Sequence, residues 1–356
     1  MASTYKGFAN NDVTTTKTLL HEAIPLTGTI VSGTYYVNPD TQTNIKRYAH
    51  GMWESVYDYP YLSSSANHIF DLTVGYAAQS HLSGAASMQN AKKINIYNQM
   101  AQVLVGFDAT GSIRRFDRDG DLVAGGDKMD EVFFVNYARL LTKDEIKKGS
   151  YTIKLYPSGT NKAPGAGAAH TYGDYGAGTS YKTNSPAGDY GLIKNGSSTG
   201  EIFGHIYYQA GVAVLTASIF NGATNFGPNS GNALAFMGVG SATPVDACLT
   251  GSLITSSCEA LRNRWSDNDF NNTTELNSTV YFCRINNNEF NYSSNPTYVS
   301  GSKIRVKNQA IDEPVSYFTT VGLYSPDNAL MAVAKISEPL KKTPSTELNL
   351  RVRLDY

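Results

Sequence analysis

The chain has 356 residues, with 29 Lys and Arg against 30 Asp and Glu, for a formal charge of -1. That near-balance excludes the basic face that nucleic-acid ligands demand, so no nucleic-acid partner is expected. No apolar run approaches the ~18 residues of a membrane helix, and the opening residues lack the charged-then-apolar order of a signal peptide, which together predict no membrane insertion and synthesis in a cytoplasm.

A single core rarely grows past ~250 to 300 residues, so two lobes are expected. The chain carries 32 Gly and 24 Tyr, a composition suited to many short strands joined by polar turns. Cys248, Cys258 and Cys283 form neither a short-spaced metal pair nor an even disulfide set, and read as small buried apolar residues.

In chain order, the Thr-rich opening is either an arm or an edge strand from Leu19 to Ile24. Strands are expected at Ile30 to Val37 and Ile69 to Val74. From 89 to 105, Ile94, Tyr97, Met100, Ala101 and Leu104 recur at helical steps and predict an amphipathic helix ending at Gly106. A strand follows at Glu131 to Tyr137. Thr142 and Glu145 then make a capping box for a short helix that Gly149 would terminate. Another strand is expected at Tyr151 to Tyr156.

Residues 157–200 are dense in Gly and Tyr with almost no aliphatics, and read as a long surface loop or insertion. Strands at Glu201 to Gln209 and Val212 to Ile219 form a hairpin about Ala210-Gly211. A helix at about Asp246 to Arg262 precedes strands at Ser278 to Ile285, Lys303 to Lys307, Val315 to Tyr324, Ala329 to Ile336 and Glu347 to Leu354. Ser325-Pro326-Asp327-Asn328 makes the turn between two of them.

Asp117, Asp119 and Asp121 alternate like the opening of a calcium loop, where carboxylates converge on a hard cation. Counting Asp117 as position one, the glycine position holds Leu122 and the bidentate-Glu position holds Lys128. The three aspartates are therefore weak metal candidates set against a solvated Asp/Gly turn, and no cofactor is expected. The carboxylate pairs Glu54 with Asp58 and Asp267 with Asp269 are candidates for glycan cleavage without diagnostic spacing. The cluster Trp53, Tyr57, Tyr59 and Tyr61 suits either sugar stacking or a packed contact.

The segments Val280 to Tyr298, Tyr317 to Tyr324 and Ala332 to Lys342, with Ile96 to Gly106 and Leu141 to Gly149 earlier in the chain, resemble virion structural proteins of contractile-tailed, T4-like phages, especially those of cyanobacteria and other marine hosts. The resemblance implies a non-enzymatic structural subunit of a phage virion, a tail or baseplate component with copies of itself and other tail, baseplate or neck proteins as partners. The alternatives are a neck or collar component, or a receptor- or glycan-binding tail appendage. Localisation would then be the phage tail, after synthesis in the host bacterial cytoplasm.

The expected fold is α+β and mostly β, with antiparallel sandwich-like lobes, one or two amphipathic helices and the long insertion. The expected lobes are 1–156 and 201–356, separated by the 157–200 insertion. Expected interface residues are Trp53, Tyr57, Tyr59, Tyr61, Tyr172, Tyr175, Tyr181, Tyr190, Arg351 and Arg353. The last two lie on the polar face of a strictly alternating closing strand.

Overall fold

The computed structural model describes residues 5–25, 44–84, 89–123, 125–156, 169–217, 249, 254–293, 298–300, 303–304, 309 and 311–356. The fold is α+β and mostly β. Its contacts divide the chain into one unit of residues 20–274 and a second formed by residues 1–19 with 275–356. This differs from a division at 156 and 200, because the described part of the Gly/Tyr-rich segment, 169–200, contributes two strands to the sheet of the larger unit. The strand expected at 30–37, the first part of the expected 246–262 helix and Cys248 lie outside the described residues.

The strands are β1 (Val13–Pro25), β2 (Ile45–Arg47), β3 (Glu54–Tyr57), β4 (His68–Tyr76), β5 (Glu131–Tyr137), β6 (Glu145–Ile146), β7 (Thr152–Leu155), β8 (His170–Gly173), β9 (Tyr190–Asn195), β10 (Ile202–Tyr207), β11 (Val212–Thr216), β12 (Trp265–Ile285), β13 (Val299–Ser300), β14 (Lys303–Ile304), β15 (Ser316–Tyr324), β16 (Leu330–Lys342) and β17 (Leu348–Asp355). The helices are α1 (Asn90–Leu104), α2 (Arg139–Thr142) and α3 (Ile254–Arg262). Both β1 and β12 contribute residues to each unit.

In the larger unit the strand order is β12-β7-β8-β9-β10-β11-β5-β4-β3-β2, and the paired registers along it are antiparallel. Two meanders, β2 to β5 and β7 to β11, join where β11 pairs with β5. The sheet curls until rings from distant strands meet: Phe70 on β4 stacks on Trp265 of β12 at 4.9 Å, and Tyr137 on β5 lies 5.2 Å from Phe270. Helices α1 and α3 pack on β4. Gly75 permits this closeness, since a Cβ there would fall 2.8 Å from the Lys93 carbonyl oxygen of α1. The helix turns Tyr97, Ala101 and Leu104 inward, as its spacing predicts, but Ile96 and Lys93 are buried as well while the expected Ile94 and Met100 are only half-buried.

The expected capping box does not form a helix. Lys143 takes φ 53°, and the following backbone is drawn into pairing: Asp144 N–H donates to Thr273 O, Ile146 N–H to Tyr208 O and Lys147 N–H to Asn271 O. Tertiary hydrogen bonds thus override a local signal worth about 1 kcal/mol. The 157–200 segment likewise contains β8 and β9, where tyrosines take the place of aliphatic residues in the core. The 157–168 part of it lies outside the described residues.

In the smaller unit, β12 from Ser278 to Ile285 pairs with β17, and Phe282 N–H donates to Asp12 O. Strands β15 and β16 form a separate two-stranded ribbon, and β13 pairs with β14. The turn at Ser325 to Asn328 closes the ribbon as expected, with Asn328 at φ 63°. The buried Lys342 ammonium donates to Asn287 O (2.9 Å), Asn291 Oδ1 (2.6 Å) and Thr343 O (2.8 Å), which replaces its hydration with protein oxygens.

Candidate functional site

The larger unit carries a loop from Phe116 to Met129, closed at its base by Met129 N–H to Phe116 O and Arg118 N–H to Asp127 O, both 2.9 Å. Gly120 and Leu122 take φ 70° and 59°. Leu122 therefore adopts the left-handed backbone that the calcium-loop pattern assigns to glycine, despite its Cβ. The turn gathers ligand oxygens of Asp117, Asp119 and Asp121 within 4.8 Å of one another.

Distant strands hold this loop from behind. Tyr190 Oη on β9 and Asn184 Nδ2 each donate to Gly120 O at 3.0 Å. His205 on β10 donates from Nε2 to Arg118 O at 3.3 Å, which makes it the Nε2–H tautomer because a carbonyl cannot donate. Burial pushes the His205 imidazole down to about 4, so it is neutral near pH 7. These bonds fix the carbonyls of Arg118 and Gly120, the residues that alternate with the three aspartates.

Within the cluster, Asp121 N–H donates to Asp119 Oδ1 (3.2 Å) and Val123 N–H to Asp121 Oδ1 (2.8 Å). Asp117 is 1% exposed. Its Oδ2 accepts from the Lys128 ammonium, which also donates to Val123 O at 2.6 Å, whereas its Oδ1 is buried with no donor. Burial raises the Asp117 carboxyl above its ordinary range, against the pull of Lys128. Lys128, which replaces the expected Glu ligand, thus supplies a positive charge to the loop.

The proposed aromatic contacts divide into two groups. Tyr172 and Tyr190 are buried core residues, at 1% and 0% exposure, and cannot form a subunit contact: Tyr172 packs edge-on to Phe203 at 4.5 Å and Tyr190 stacks on Tyr207 at 4.9 Å. Trp53, Tyr57 and Tyr61 are half-buried and Tyr59 is exposed. Trp53 packs with His50 and Tyr48, and Tyr57 with Tyr61 and His68, beside the short strands β2 and β3. Tyr175 is half-buried, and Tyr181 is exposed with the Lys148 ammonium 4.1 Å over its ring.

Three of the four carboxylates considered for glycan chemistry are engaged with other partners, while Asp269 lies half-buried beside Asp267, with its carboxyl raised above the ordinary range by burial and by that neighbour. Glu54 is fully buried against Arg262 (2.9 Å), Asp58 accepts from the backbone and side chain of Asn67, and Asp267 pairs with Lys154 at 2.7 Å.

In the smaller unit, Arg351 and Arg353 are exposed on β17 while Val352 is buried, as strict alternation predicts. Arg353 also pairs with Asp355 (2.7 Å) and donates to Ser278 Oγ. The ribbon adds a surface that composition did not single out. Tyr317, Tyr324, Leu330, Met331 and Val333 are exposed on it, with Met331 at 71%. Beside it lies a groove of about 680 Å³, lined by Phe8, Phe282, Phe290, Phe318, Leu323 and Leu350 among others. The unbroken apolar run from Leu330 to Ala334 is the signal that would have found this surface, since it puts apolar residues on both faces of the strand.

The chain matches no protein-family model, no curated protein and no solved structure.

Proposed function

We propose that the chain is a non-enzymatic structural subunit of a tailed-phage virion, a tail or baseplate component that assembles with copies of itself and with neighbouring tail proteins. The observation that carries this reading is the β15–β16 ribbon. Its strands are built from two of the segments that resemble phage virion proteins, and they hold apolar side chains in solvent on an isolated two-stranded sheet. Such a sheet is marginal alone, and exposed apolar clusters of this kind mark contacts with other chains. Strand edges unpaired among the described residues offer a backbone for further pairing, and the exposed Arg351 and Arg353 add a polar rim.

The test is immunogold labelling of intact virions with antibody raised against the purified chain, viewed by electron microscopy before and after tail contraction. Label at the distal tail tip is expected. Label at the head-tail junction would replace the baseplate position with the neck or collar. Particles without label, although antigen is detected in the infected lysate, would overturn the virion reading.

A further inference from the structure

We propose that the Asp117-Asp119-Asp121 loop binds one divalent cation of the calcium class. Convergence of acidic side chains alone would not carry this, since such groups are common on solvated turns. The decisive atom is Asp117 Oδ1: it belongs to a side chain 1% exposed, and no donor reaches it. A buried carboxylate oxygen without a partner is costly, and a cation beside it removes that cost.

The charge count agrees. Three carboxylates within 4.8 Å of one another face the Lys128 ammonium as their bonded cation within the loop. Three negative charges less one positive leave two, which one divalent ion neutralises. Lys128 stays in place on Asp117 Oδ2 and Val123 O, which leaves Asp117 Oδ1 with the carboxylates of Asp119 and Asp121 as the proposed ligands. An all-oxygen set selects a hard cation, and an exposed loop with variable spacing suits calcium better than the strict octahedron of magnesium.

The same geometry sets the strength. Lys128 takes the Val123 carbonyl and stands where a bidentate Glu would bind, so water must fill the remaining positions. The affinity expected is on the order of 10⁻⁴ to 10⁻³ M, the range of loosely liganded sites. Binding would tie the loop to β9 and β10 through Tyr190 and His205. This inference is independent of the virion assignment.

The full chain, dialysed against chelator, is titrated with CaCl₂ at constant ionic strength. Calorimetry should give one site, and Tm should rise by about 3 to 6 °C at tenfold excess over Kd. Terbium, a calcium stand-in, should show tyrosine-sensitised emission because the Tyr190 hydroxyl lies 3.0 Å from Gly120 O. Asp119 and Asp121 are exposed, so the D119N/D121N double variant should melt like the parent in chelator and lose all three responses. No heat and no Tm rise with the parent up to 10-fold above the millimolar range, or equal responses in the double variant, would overturn the proposal.

Discussion

In β10 and β11 every residue from Phe203 to Tyr207 and from Val212 to Thr216 is buried, whereas along β15 and β16 only Ser316, Leu323 and Lys342 are. Both are antiparallel hairpins with apolar residues on two faces. The first is bonded on its outer edges to β9 and β5, so its neighbours cover what its pattern exposes. The second pairs only with itself among the described residues. The difference teaches that apolar content on both strand faces requires cover, which the chain supplies to the first hairpin and which, among the described residues, the second lacks; the proposed assembly would supply it.

The largest break of this comparison is deletion of residues 170–195, which removes β8 and β9 and bares the edge of β10. The larger unit should fail to fold, seen as lost cooperative melting; a truncated chain melting like the parent would contradict the core role of this segment. Next is Gly204→Ala, whose Cβ would lie 2.0 Å from the Val214 carbonyl oxygen. It should cost more than about 4 kcal/mol in chemical denaturation, among the largest effects of a single substitution.

A pH effect of intermediate size tests the buried interior. The His205 imidazole sits at about 4 when folded against an ordinary 6.5. Its contribution is therefore fully present above pH 6.5 and is lost as pH falls through 4, by roughly 3 kcal/mol. Asp174 opposes it: burial lifts its carboxyl to about 6, against donors Gly149 N–H, Tyr208 Oη–H and Tyr151 N–H. That contribution is present below pH 4 and lost as pH rises through 6. Denaturation of the His205→Gln variant across pH 4 to 7 should keep the Asp174 slope and lose the His205 one.

The smallest effect sharpens the contrast. Met331→Ser and Val333→Ser on the ribbon should change the stability of the isolated chain by under about 0.5 kcal/mol. The same changes should reduce incorporation into particles, measured by sedimentation of assembled virions. A loss of several kcal/mol instead would mean that the ribbon is covered by its own chain.

Helix α1, the hairpin about Gly211 and the ribbon turn were legible in the sequence because periodicity and turn residues act locally. The short helix expected after Thr142 was not, because β12 captured its backbone groups. Strands β8 and β9 were hidden by composition: Tyr172 and Tyr190 fill the interior with rings whose hydroxyls and neighbouring glycines read as surface. For the carboxylate loop, alternation exposed the three aspartates, while its anchors lie 64 to 87 residues onward and left no local mark. The orphaned Asp117 oxygen is a property of packing and has no signature in residue order.

The side chains of Lys93 and Lys342 are both fully buried, one in each unit. An amine-reactive reagent applied to the native chain should leave these two unlabelled while it marks solvent-facing lysines such as Lys335. Each would gain label only when its own unit opens, so peptide mass spectrometry during a denaturant series would time the two openings separately.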